Sequence, residues 1–274
     1  MIRLLQLELQ KLILNRTSKI LIFISFILPL CVIVLSAIKI NFFGFFTLEL
    51  GELGIFNFPI VWHITTYFSA LFKFFFAIVV VSMIGNEYSN KTLKQNLIDG
   101  LSKREFILSK FYTIVFFSII STVIIFILSL VLGLVYSSYN EISIIVREIE
   151  FLPAYFLKLL GFFSFCLFLG VFAKRSAFAL GFLFVDFILE WIVFGLIVWK
   201  SNVEMATKIQ NFFPLTAMSN LIKQPFQRVA MSKFPEKNDL GYDYAVHLDS
   251  SIIVVLWTAI FILSAYYLIK KRDL

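Results

Sequence analysis

Six long, predominantly apolar stretches set the terms on which this chain can fold: Ile20–Ile38, Ile60–Gly85, Phe111–Tyr136, Leu152–Ala173, Ser176–Trp199 and Ser250–Ile269. A helix rises 1.5 Å per residue, so about 20 residues cross the roughly 30 Å hydrocarbon core of a bilayer. In lipid each backbone N–H and C=O must find its partner inside the segment, which makes runs of this length helices. The prediction is an all-α, polytopic membrane protein with six transmembrane helices. Composition agrees: 60% of residues are hydrophobic and 15% charged, against about 25% charged in soluble domains. The first stretch is too long for a signal-peptide core and has no small-x-small site after it, so it is expected to stay as a span. Cys31 and Cys166 lie inside apolar runs and are expected to be small buried hydrophobes.

Basic residues orient the spans. With the N-terminus inside, the cytoplasmic segments hold Arg3, Lys11, Arg16 and Lys19; then Lys91, Lys94, Lys103, Arg104 and Lys110; then Lys174 and Arg175; then Lys270, Lys271 and Arg272. The two short outer loops hold only Lys39 and Arg147. This asymmetry puts both termini in the cytoplasm, and it accounts for the net charge of +7 without a nucleic-acid partner. Trp62 and Trp199 fall at outer boundaries, where indole rings favour the headgroup level. Lys158, near an outer boundary, is expected to snorkel.

The segments between spans also carry pattern. Residues 1–19 set Ile2, Leu5, Leu9 and Leu12 on one helical face and Arg3, Gln6 and Gln10 elsewhere, predicting an amphipathic helix on the inner membrane surface. Residues 86–110 form a basic cytoplasmic loop in which Ser102 is placed to cap a new helix. Residues 200–249 form an external segment too long for a structureless connector. Leu215, Met218, Leu221 and Ile222 recur at helical spacing after Pro214, so short external helices are expected there. Residues 1–274 read as one transmembrane domain.

Several chemistries are missing. The sequence has no G-x-x-x-x-G-K-[ST] loop, no H-E-x-x-H and no G-x-S-x-G, and its only histidines are His63 and His247. We therefore expect no catalytic residue, no metal site and no cofactor on this chain.

The loop after the second stretch is the most specific feature. Asn86-Glu87-Tyr88-Ser89-Asn90-Lys91-Thr92-Leu93-Lys94-Gln95-Asn96-Leu97, then Gly100-Leu101-Ser102-Lys103-Arg104-Glu105-Phe106 and Lys110, resembles the loop between spans two and three of ABC-2 type permeases. Glu87, Thr92, Ser102, Arg104 and Lys110 occupy the places of that family's pattern. Lys91 stands where glycine is usual, Gly100-Leu101 where proline is common, and Lys103 is inserted between Ser and Arg. The resemblance implies an ABCG-like half-transporter. In that fold Glu87, Thr92, Leu93, Leu97, Ser102, Lys103, Arg104, Phe106 and Lys110 form the element that couples to a separate ABC ATPase subunit. It further implies a second permease subunit, identical or paralogous, with ATP and Mg on the ATPase, in the cytoplasmic (inner) membrane. An ion-coupled secondary transporter and a membrane assembly or scaffold subunit stand as the alternatives.

Four charges lie within the stretches: Lys73, Lys158, Asp186 and Glu190. Asp186 and Glu190 are four apart and share one face of the fifth span. At 1.5 Å per residue, Lys73 stands roughly 18 Å above the inner boundary, Asp186 roughly 15 Å and Glu190 roughly 21 Å. Intramembrane charges pair or face a wet cavity. Lys73 is therefore expected opposite Asp186 or Glu190, within the subunit or across a dimer seam, as a buried ion pair or along the transport path that spans two and five line in ABCG-like exporters.

Overall fold

A computed structural model describes residues 2–38, 40–42, 46–48, 54–138, 141–233 and 243–272. Thirteen helices and one hairpin are present among them: α1 (Ile2–Leu14), α2 (Arg16–Ala37), β1 (Ile40–Phe42), β2 (Phe46–Leu48), α3 (Ile60–Leu71), α4 (Lys73–Ser89), α5 (Thr92–Ile98), α6 (Lys103–Tyr136), α7 (Ile142–Ile145), α8 (Phe151–Ala173), α9 (Ser176–Lys200), α10 (Val203–Gln210), α11 (Pro214–Asn220), α12 (Phe226–Lys233) and α13 (Leu248–Lys271). The fold is that of a polytopic helical membrane protein. Five helices among the described residues are long and apolar enough to cross a bilayer, and the bent pair α3–α4 brings the number to six when it is counted as one broken span. The short antiparallel β1–β2 pairing, Asn41 opposite Thr47, was not legible in the sequence.

Local chemistry explains the boundaries. Asn15 separates α1 from α2, and its side chain accepts from the N–H groups of Thr17 and Ser18 at 3.0 and 3.2 Å, capping α2. Ser102 opens α6 with a full capping box: its hydroxyl accepts from the Glu105 N–H, and the Glu105 carboxylate accepts from the Ser102 N–H. From that box α6 runs 34 residues, about 51 Å at 1.5 Å per residue. That exceeds the roughly 30 Å bilayer core, so the helix is long enough to cross it and still extend past it by several turns. Lys91 takes a left-handed conformation, φ 57°, just before α5, and Gly100 takes φ 99° just after it. Glycine adopts such angles without strain. Lys91 thus accepts a strained turn at the place where the permease pattern has glycine.

The second span departs from expectation. Instead of one straight helix over Ile60–Gly85, it breaks at Phe72 and bends by 45°. No proline or glycine causes the bend; the turn tightens, with Phe72 N–H donating to Ser69 O at 3.1 Å and Phe75 N–H to Phe72 O at 3.2 Å. Lys73 is the first residue past the break.

Helix α8 is the most enclosed span and packs on α13, α4, α6, α9, α3 and α11; α9 is the least enclosed. Cys166 is buried in that centre as expected, but Cys31 is exposed on the apolar surface of α2. Trp62 does not face the lipid: it is fully buried and donates its indole N–H to Ile145 O at 2.8 Å, whereas Trp199 is largely exposed.

One contact fixes how closely α6 approaches the loop before α3. Gly133 on α6 leaves room for the ring of Phe58, and a Cβ built at Gly133 would fall on that ring. Gly133→Ala is expected to overpack the site and cost about 1–3 kcal/mol, read as a lowered Tm of the detergent-solubilised protein. Phe58→Leu in the same chain should return most of the loss. An unchanged Tm for Gly133→Ala would show that the ring moves aside freely.

Candidate functional site

Two sites stand out, one at the end of the bundle that carries α1 and α5 and one within the span region. The first is a buried charge cluster. Lys110 on α6, with no exposed surface, donates to Glu8 of α1 and at 3.0 Å to Glu87 of α4. Lys11 of α1 donates to Glu87 at 2.9 Å. The second carboxylate oxygen of Glu87 accepts from the Thr92 hydroxyl at 2.6 Å and the Asn96 amide at 3.2 Å, both on α5. Burial works against the Lys11 ammonium, but the carboxylates of Glu8 and Glu87 outweigh it and hold its pKa above the ordinary lysine value. One carboxylate, Glu87, therefore ties together four elements: α1, α4, α5 and α6.

This arrangement sorts the nine residues that the permease resemblance singled out. Glu87, Thr92 and Lys110 belong to the cluster, and Leu93 and Phe106 are buried beneath α5 and at the foot of α6. Leu97 is half-buried against the core. Lys103 reaches the opposite end of the chain, donating to Arg272 O at 2.8 Å and Lys270 O at 3.4 Å, so it caps the last turn of α13. Ser102 and Arg104 are exposed. The outward surface of α5 presents Lys94, Gln95 and Ile98, the last 75% exposed.

Two members of the cluster escaped sequence reading. Glu8 and Lys11 sit on α1, which does not simply lie on the membrane: it packs on α6 and α2 with Glu8 and Leu12 buried. A signal existed, because Glu8 falls on the Leu5, Glu8, Leu12 stripe, a charge set on the inward face of an amphipathic helix. At the C-terminal end Arg272 donates to Tyr88 Oη at 3.0 Å and Val171 O at 2.6 Å, joining α13 to α4 and α8.

The second site is a cavity of about 500 Å³ walled by α4, α8, α9, α10 and α11, with both Lys73 and Glu190 in its lining. Within the subunit the two do not form an ion pair, and neither does Lys73 with Asp186: no carboxylate among the described residues of the chain lies within salt-bridge reach of Lys73. Its ammonium sits over the rings of Phe162, at 4.3 Å, and Phe74, at 5.8 Å. The reason is local. The bend at Phe72 invalidates straight-helix depth arithmetic, and Glu190 is already engaged by the backbone. Its carboxylate accepts from Leu215 N–H at 2.8 Å, Thr216 N–H at 3.0 Å and the Thr216 hydroxyl at 2.8 Å, capping α11. Asp186, one turn away, has a buried Oδ2 with no hydrogen-bond partner among the described residues.

Lys158 likewise departs from expectation. Rather than snorkelling, it is buried and donates to Ser219 O at 3.2 Å and Ile222 O at 3.3 Å at the far end of α11. A carboxylate at the N-terminus of α11 and an ammonium at its C-terminus match the helix dipole at both ends. His63 is also buried, its Nε2 2.7 Å from Lys223 O and its ring stacked 4.3 Å from Phe151. No group of three or more His, Cys, Asp or Glu among the described residues is placed to hold a metal ion.

Comparison with known families gives one finding. The model of a family described as "ABC-2 family transporter protein" matches residues 6–274. No curated protein matches the chain.

Proposed function

The chain belongs to the ABC-2 transporter family, and from that premise we propose that it is the permease subunit of an ATP-driven exporter. In this reading it has no catalytic activity of its own. A separate ABC ATPase binds ATP and Mg and docks on the cytoplasmic face of α5. A second permease subunit, identical or paralogous, completes the path across the cytoplasmic membrane, and both termini lie in the cytoplasm.

The observation that carries this reading is the Glu87 cluster. Motion generated by an ATPase reaches the spans only through an element that does not absorb it. Glu87, Lys110, Thr92 and Lys11 fasten α5 to α4, α6 and α1 at 2.6–3.0 Å. The capping box then makes α6 continuous from the foot of α5 into the bilayer. A push on α5 is thus transmitted to spans two and three together, while Lys94, Gln95 and Ile98 stay free to face a partner.

Ile98→Asp tests this. The side chain is exposed, so folding and Tm should be unchanged. Affinity for the ATPase that co-purifies with the native protein should fall by about tenfold or more, as for loss of an apolar anchor at an interface, and flux should fall with it. Unchanged co-purification and unchanged flux would refute docking on α5 and leave it a basic membrane anchor.

A further inference from the structure

Resting on the permease reading, we propose that the cavity at Lys73 binds an anionic amphiphile: an acidic head on the Lys73 ammonium and an apolar body against Phe74, Phe162, Phe187 and Trp191. The volume, about 500 Å³, is in the range of small-molecule sites. The two charged residues of the lining are not equivalent. Glu190 already accepts from two backbone N–H groups and a hydroxyl, three of about four acceptor sites on a carboxylate. Lys73 has no hydrogen bond and no salt bridge to any described residue, only aromatic faces.

A cation held over a ring is covered on one side and keeps its N–H donors on the other. A lone ammonium at membrane depth is costly until an anion neutralises it. The cavity therefore offers a cation with no hydrogen-bond partner among the described residues beside a carboxylate that already accepts three hydrogen bonds. It selects negative charge at the head and aromatic or aliphatic bulk behind it.

The test uses the full protein in nanodiscs without nucleotide, with two fluorescent probes: dansyl-labelled undecanoate and its uncharged carboxamide. In phosphatidylcholine discs the acid should bind about tenfold tighter than the amide, the usual scale of one charge-assisted hydrogen bond. Lys73→Met should bring the two within about twofold of each other by loss of that bond, with amide binding retained as proof of a folded site. Trp191→Ala, which trims the wall for the apolar body only, should weaken both probes alike. Competition by phosphatidylglycerol added to the discs would name a bilayer lipid as the source of the anionic head; indifference to it would name a free single-chain amphiphile. Equal binding of acid and amide by the native protein, or a charge preference that survives in Lys73→Met, overturns the inference. Because binding is read without ATP, such a result would leave the coupling of α5 to an ATPase standing. Loss of flux in Ile98→Asp, in turn, would not alter probe binding.

Discussion

Lys110→Met is expected to destabilise the protein by about 3–5 kcal/mol, the cost of stripping a buried ion pair of one partner. Lys110 is fully buried and serves two carboxylates, Glu8 and Glu87, that are themselves almost fully buried. Without its ammonium both must share Lys11, which is half exposed and bonded to Glu87 at 2.9 Å. The methionine fills similar volume, so packing contributes little to the loss. Detergent-solubilised protein should show a much lower Tm, and limited proteolysis should cut near α5 sooner, because the Glu87 carboxylate that receives Thr92 and Asn96 is no longer held in place. The triple variant Glu8→Gln, Glu87→Gln, Lys110→Met removes the stranded charges and should recover more than half of the lost stability. If Lys110→Met melts within experimental error of the native protein, α1, α4, α5 and α6 are held by packing alone. The mechanical argument for coupling through Glu87 then fails with it.

How legible this cluster was depends on the residue. Glu87, Thr92 and Lys110 were marked by their spacing in a loop that resembles the ABC-2 pattern, and the family match over residues 6–274 bears the family out. What the pattern did not say is that they face inward. A loop motif carries no record of burial, and the inward partner comes from Glu8, 79 residues before Glu87 and on a different element. The apolar spans were legible because hydropathy over about 20 residues is a strong signal. The break at Phe72 was not, since neither proline nor glycine announces it. Lys158 and Trp62 were misplaced for one shared reason: both were assigned to a boundary by type, while each is buried and bonded to a backbone carbonyl from a distant element. Such carbonyls exist only once α7 and α11 have formed beside them, and single-sequence reasoning has no access to that.

The same limit separates Asp186 from Glu190, and it yields the second large prediction. Their spacing of four residues places them on one helical face, and sequence alone treats them as a unit. The structure gives them opposite standings. Glu190 accepts three hydrogen bonds at the start of α11. The Oδ2 of Asp186 is buried and accepts none from the described residues. Glu190→Leu should therefore strand the N–H groups of Leu215 and Thr216 and cost about 1.5–3 kcal/mol, the range for hydrogen bonds to a charged group. Asp186→Leu removes an uncompensated carboxylate and should stabilise by about 1–3 kcal/mol, the cost of burying a polar group without a partner. Thermal unfolding of the two variants in one detergent should move Tm in opposite directions, with Glu190→Leu also loosening α11, the helix that Lys158 holds at its other end. A fall in Tm of similar size for both would mean that the carboxylates act together after all. Asp186 would then have a partner in the assembled exporter that Glu190 shares, across the exposed face of α9.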